Sequence, residues 1–266
     1  MGGAACLASR CGPSQDKRKA CLIPMNPIIV IPSRLASTRL PNKPLAEIDG
    51  KPMILQVALR ALASGLGPVL VASGDQAILD ALSGHDVAGV LTDPALPSGS
   101  DRVHAALQSH DPEGRHDVVI NLQGDLPLIA PHSLSAALRP VAEGFDIGTL
   151  VAPVETEEEA QRASVVKAAC AFASGASVAR ALYFSRQPIP WGDGPLWHHV
   201  GVYAWRREAL ARFVALAPSP LERRESLEQL RALEAGMSIG CASIAEAPLG
   251  VDTPEDLVRI RQVLAA

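Results

Sequence analysis

The sequence predicts an α/β fold: a mostly parallel sheet covered by helices on both faces and interrupted by an inserted β-hairpin. Three observations carry that expectation. Short apolar runs alternate with stretches of helical spacing through the first half of the chain. The first of these runs passes directly into a loop rich in cations and prolines. In the second half, two strand-like segments face each other across Ser174-Gly175.

The elements follow in order. Ile28 to Ile31 is a short apolar run that reads as a buried strand. Pro52 to Ser64 places Met53, Val57 and Ala61, with Ile54 and Ala58, at helical spacing behind a starting proline. Pro68 to Ala72 and Asp117 to Leu122 are further strands; Asp75 to Leu82 and Ser100 to Gln108 are helices. Ser164 to Ala171 and Ser177 to Phe184 form the hairpin, and His199 to Trp205 is another strand. Arg206 to Leu216, Pro220 to Ala235 and Pro254 to Leu264 are helices. The expected organisation is one domain over residues 25–266, with residues 164–205 as an insertion that also serves dimerisation. Residues 1–24 lack periodicity, hold three of the five cysteines and read as an extension or an over-long start ahead of Met25.

The 266 residues are 48% hydrophobic and 20% charged, which allows a substantial core and excludes a disordered chain. A net charge of −4 argues against a general nucleic-acid binder, and no apolar run approaches the ~20 residues of a membrane span. Five cysteines without metal-like spacing suit a reduced cytoplasmic protein.

The loop Pro32-Ser33-Arg34-Leu35-Ala36-Ser37-Thr38-Arg39-Leu40-Pro41-Asn42-Lys43-Pro44 sets Arg34, Arg39 and Lys43 just past a strand end. Ligands bind there in open α/β sheets, and three cations suit a polyanion such as a nucleoside triphosphate. A solvated basic loop is the plain alternative. Asp125, in Gln123-Gly124-Asp125, ends a strand in a turn and can hold a hard cation beside a nucleotide. Magnesium then needs a second acid, and Asp252 in Gly250-Val251-Asp252-Thr253-Pro254 offers it, against the simpler reading of a helix cap. Ser98-Gly99-Ser100-Asp101-Arg102 reads equally as a base or ribose cradle and as a capped helix start.

On a continuous helix from Leu221 to Glu234, Glu222, Glu225, Ser226 and Gln229 share a face beside Leu227, Leu230 and Leu233. Arg224, Glu228 and Arg231 then point to solvent. Acids beside an apolar stripe need a partner or a ligand. Sugar hydroxyls fit, and so does a salt bridge to Arg186 or Arg206. His199 precedes Val200-Gly201-Val202-Tyr203 on its strand, where a satisfied structural role is the commoner one. Six of the nine aromatic residues, Tyr183, Phe184, Trp191, Trp197, Tyr203 and Trp205, fall in one segment, which suggests an interface or a ligand wall.

Taken together, these segments resemble the 3-deoxy-manno-octulosonate cytidylyltransferases, the CMP-Kdo synthetases. The matching stretches are Ile31 to Leu45, Ser98 to Arg102, Gln123 to Pro127, Ala181 to Arg186, Ile189 to Trp191, His199 to Tyr203, Pro218 to Glu222 with Glu225, Leu227 to Arg231, and Gly250 to Leu257. They span almost everything after Met25. The resemblance implies a three-layer, Rossmann-like fold of the nucleotide-diphospho-sugar transferase type. It implies a reaction of CTP with 3-deoxy-manno-octulosonate (Kdo) that gives CMP-Kdo and pyrophosphate, feeding lipopolysaccharide synthesis. By position, Arg34, Ser37, Arg39 and Lys43 would bind the triphosphate, and Ala72, Ser73, Ser98 and Gly99 the cytidine. Asp125 and Asp252 would hold Mg2+; Arg34, Arg39, Lys43 and Asp125 would be the catalytic set. Gln123, Tyr183, Arg186, His199, Glu222 and Gln229 would surround the sugar acid. The clustering of Trp191, Trp197 and Trp205 brings the expectation of a homodimer through the hairpin region, and charge, cysteine usage and hydropathy that of a cytoplasmic protein that binds no nucleic acid or membrane. Departures from the family pattern are Leu126 after Gln-Gly-Asp, Ser73-Gly74 after Ala72, and a short loop from Gly192 to Trp197. Rival readings are a cytidylyltransferase for another sugar acid, such as a CMP-sialic acid synthetase, and a non-catalytic nucleotide-binding regulator.

Overall fold

A computed structural model describes residues 25–36 and 40–265. The expected extension over residues 1–24, and the candidates Ser37 and Arg39, lie outside the described residues. Nine strands form one sheet: β1 (Pro27–Ser33), β4 (Val69–Ser73), β5 (Ala88–Leu91), β6 (Val118–Asn121), β7 (Ile147–Pro153), β8 (Lys167–Cys170), β9 (Val178–Ser185), β10 (Trp197–Arg206) and β11 (Ile239–Ser243). Their order is β5-β4-β1-β6-β10-β7-β11-β9-β8. A two-stranded ribbon, β2 (Glu47–Ile48) and β3 (Lys51–Pro52), stands beside it.

The first half is the expected parallel unit: β1 pairs in parallel with β4 and β6, and β4 with β5. Side chains on β1 alternate between two cores. Ile29 and Ile31 join the cluster under α1 (Met53–Leu62) and α4 (Pro131–Ala142); Ile28 and Val30 join the one under α3 (Gly99–His110) and α6 (Arg207–Val214). Burial on both faces explains a strand that reads as an unbroken apolar run. Each buried aliphatic chain contributes roughly 1.5–3 kcal/mol.

β10 then enters antiparallel to both β6 and β7, and β11 returns parallel to β7. The sheet is therefore mixed. The hairpin is present, with Gly175 in the left-handed region (φ 75), and it is built into the sheet edge rather than standing apart. β9 pairs with β11, and β8 meets β10 at His198–Lys167. Strands β10, β7, β11, β9 and β8 thus close into a small ring.

Helix α4 (Pro131–Ala142) adds to the expected elements. Pro131 starts the helix and Pro140 sits inside it. A Cβ on Gly148 would come within 2.1 Å of the Ala137 carbonyl, and one on Gly240 within 2.5 Å of Pro140. Two glycines in β7 and β11 are what let this helix lie against the sheet.

The stretch expected as one helix over Pro220 to Ala235 is two: α7 (Pro220–Glu225) and α8 (Gln229–Glu234). Ser226 takes a left-handed conformation (φ 54) and ends α7. Glu222, Glu225, Ser226 and Gln229 therefore share no continuous helix face. Arg231, expected in solvent, is buried. The remaining elements are α2 (Gln76–Asp80), α5 (Glu157–Gln161) and α9 (Pro254–Ala265). Among the described residues, no helix is long and apolar enough to cross a membrane.

Inside the closed ring, His199 lies edge-on to Phe184, with ring centroids 4.8 Å apart, and its Nε2 is 3.0 Å from Thr149 Oγ1. Trp205 is equally enclosed, packed on Phe213, so it belongs to the core and not to an interface. Burial, and to a lesser degree His198, holds the His199 imidazole down from its ordinary 6.5 to about 3. The unfolded chain is then the better proton acceptor. The histidine's contribution to stability is complete above pH 6.5 and is lost as pH falls from there toward 3. Urea unfolding at pH 7 and pH 5 checks this. We expect a loss of stability at the lower pH that is smaller in His199→Gln; identical losses in both proteins would contradict it.

Candidate active site

The cleft opens at the carboxyl ends of β1 and β6, the place where open α/β sheets bind ligands. Its volume is about 400 Å³. β1 runs into Arg34, and β6 runs into Gln123, Gly124 and Asp125. Ser98 and Gly99 reach the rim at the start of α3, and Asp252 comes from the segment before α9.

Lys43 heads a 3-10 turn, Lys43–Leu45, that follows Asn42 in a left-handed conformation (φ 56). Its ammonium donates to Asp125 Oδ2 at 2.9 Å, to Asp252 Oδ1 at 3.1 Å and to the Val251 carbonyl at 2.8 Å. Two carboxylates 127 positions apart in the chain, 125 and 252, thus converge on one cation. The rival reading of Asp252 as a helix cap is answered by its neighbours. Asp256 accepts the Asp252 and Thr253 amides, and Thr253 Oγ1 accepts the Asp256 amide. Capping falls to Thr253 and Asp256, and the Asp252 carboxylate turns to the cleft.

This donor set fits a magnesium ion. Mg2+ takes one or two carboxylates and fills its octahedron with phosphate oxygens and water. Among the described residues there is no group of three or more His, Cys, Asp or Glu able to hold a metal.

The cytidine candidates divide. Ser98 and Gly99 line the cleft, although the Ser98 hydroxyl is engaged at the helix start, accepting the Asp101 amide at 3.2 Å and donating to its carboxylate at 2.6 Å. Ala72 and Ser73 are fully buried behind it, and Ser73 Oγ bonds the Asp75 backbone. Arg102 closes the Ser98-to-Arg102 segment but has no role of its own in the nucleotide set read from the sequence. It lines the cleft, is 2% exposed, and its Nη1 donates to Thr92 Oγ1 and to the Asp93 carbonyl. Burial and the like charge of Arg34 lower its pKa. Its place one turn into an N-capped helix was the available signal.

Of the sugar candidates, Gln123 lines the cleft. Tyr183, Arg186, His199, Glu222 and Gln229 do not. Arg186 directs its guanidinium to the carbonyls of Glu225, Ala163 and Ser226. Glu225 in turn accepts the Ser185 hydroxyl at 2.8 Å and the Arg186 amide at 3.0 Å. Gln229 is buried, and Tyr183 packs against the second core cluster. Glu222 closes a capping box with Ser219 and meets Arg231 through two bonds of 2.8 and 2.5 Å. Burial opposes ionisation of Glu222, yet the Arg231 fork and the Ser219 amide outweigh it and hold the carboxyl below its usual range. The salt bridge expected as the plain alternative exists, with Arg231 in place of Arg186 or Arg206. Beside it Glu228, expected in solvent, accepts the Ser100 hydroxyl at 3.1 Å, and burial raises its pKa.

The sequence profile described as "Cytidylyltransferase" matches residues 28–239. A 3-deoxy-manno-octulosonate cytidylyltransferase of Rhodospirillum centenum is 57% identical over 242 residues, covering 91% of this chain and 94% of that protein. The chain belongs to the 3-deoxy-manno-octulosonate cytidylyltransferase family. The enzyme of the same description from Parvibaculum lavamentivorans is 56% identical, covering 90% and 93% of the two chains. A solved CMP:2-keto-3-deoxy-manno-octonic acid synthetase complexed with CTP superposes with a TM-score of 0.82 at 36% identity, covering 90% of this chain and 98% of that one.

In this cytidylyltransferase the Glu222–Arg231 pair, with side chains 13% and 9% exposed, fastens α7 to α8. Removing one member of a buried pair strands the other and costs about 3–5 kcal/mol. Arg231→Met should lower the unfolding free energy by that order in a urea titration; a loss within the ~1 kcal/mol of an exposed pair would contradict it.

Proposed function

We infer that this enzyme transfers CMP from CTP to the anomeric hydroxyl of Kdo and releases pyrophosphate. The observation that carries the reading is the convergence of Asp125, Asp252 and Lys43 at the carboxyl ends of β1 and β6. The relatives' shared description supplies the acceptor. An intact set of acids and loop cations argues against a non-catalytic binder.

The hydroxyl oxygen of the sugar attacks the α-phosphorus, and pyrophosphate leaves in line. Positioning and charge stabilisation lower such barriers more than covalent help does. Arg34 and Lys43, with Ser37 and Arg39 by family position, grip the triphosphate and offset charge on the departing pyrophosphate. Gln123 meets the sugar acid from the cleft wall. Tyr183, Arg186, His199, Glu222 and Gln229 remain our sugar set, with Arg186 as partner for the acid's carboxylate. Asp125 and Asp252 would hold Mg2+, which when bound polarises phosphate and sugar oxygens.

We further propose a cytoplasmic homodimer whose product serves lipopolysaccharide assembly. Support for the dimer is the full exposure of Trp191 and the 68% exposure of Leu182, both in the hairpin region. Light scattering at micromolar concentration should give twice the chain mass, and a monomer would contradict it. For the chemistry, Asp125→Asn and Asp252→Asn should each lower the rate of pyrophosphate release by about 100-fold or more, with folding intact by circular dichroism. Unchanged turnover in either variant would contradict the assignment.

A further inference from the structure

We propose that Lys43 is a displaceable occupant of the cation point: its ammonium holds the place between Asp125 and Asp252 until nucleotide phosphates draw it away, and a divalent ion enters only then. The proposal rests on the reading of these two acids as the metal carboxylates.

Three features carry it. The ammonium satisfies both carboxylates and the Val251 carbonyl at 2.8–3.1 Å, so one nitrogen stands where two acid groups converge. Lys43 is 17% exposed while its partners are 32% and 47% exposed, so the acids face the open cleft and the cation plugs the gap between them. An ammonium and a divalent ion cannot share that point, because like charges at contact distance repel strongly in a partly desolvated cleft. The lysine stem is unbranched and flexible, and Lys43 lines the same cleft as Arg34. A triphosphate adds several negative oxygens there. It attracts the ammonium and at the same time supplies the oxygens that magnesium prefers. The exchange couples metal binding to nucleotide binding and keeps the two carboxylates from gathering metal in the empty enzyme.

Titration of the full-length protein with Mn2+ in the absence of nucleotide tests this, reading free Mn2+ by electron paramagnetic resonance. The proteins are wild type, Lys43→Met, Lys43→Gln as a polar uncharged control, and the double variant Lys43→Met/Asp125→Asn. The expected result is a single Mn2+ site in both Lys43 variants, about tenfold or more tighter than in wild type, as removal of a contact cation implies. That site should vanish in the double variant. If wild type binds Mn2+ as tightly as Lys43→Met, and the double variant does not bind, the acids hold metal but the occupant role is wrong. If the double variant binds like Lys43→Met, or neither Lys43 variant binds at all, the metal assignment fails and the proposal with it.

Discussion

The bond set around the Lys43 ammonium is the constraint on which the site depends. It ties the loop after β1 to the turn after β6, 82 positions away, and to the segment before α9, 208 and 209 positions away. Pairs this exposed are worth about 1 kcal/mol or less each, so their importance is geometric rather than energetic. The energy comes from beneath. Ile48 and Met53 pack with Val251, Leu257 and Ile260, and this small cluster presses α9 and the β2–β3 ribbon together under the lysine turn. A packed base sets where three polar groups meet, and the groups then need little stabilisation of their own.

Much of this was legible in the residues. The unbroken apolar run of β1, the proline-bounded cations and Gln123-Gly124-Asp125 each pointed to a strand end suited to a polyanion, and the fold puts Arg34, Lys43 and Asp125 there. Asp252 was ambiguous because Asp-Thr-Pro-Glu-Asp serves a cap and a metal equally well. Only three dimensions showed that Asp256 does the capping. Arg102 was hidden because helical spacing cannot tell a side chain buried against a neighbouring loop from one on the surface.

The α7–α8 region shows why periodicity failed. Glu222 and Arg231 lie nine positions apart, a spacing that on one helix would separate them by more than two turns. The left-handed Ser226 folds the chain back, and the fork between them becomes possible. No glycine or proline marks the break. Likewise the ring formed by β7 to β11 depends on β8 meeting β10, a long-range closure without a local signature. It converts His199 from a strand residue into an interior one and leaves Trp191 and Leu182 outside.

Pyrophosphate release from CTP and magnesium, with Kdo and sialic acid compared in parallel, tests the central claim most directly. The account predicts release with Kdo and none above background with sialic acid. Release with sialic acid alone would keep the fold and the acid pair but contradict the assigned acceptor, and release with neither would contradict the transferase itself.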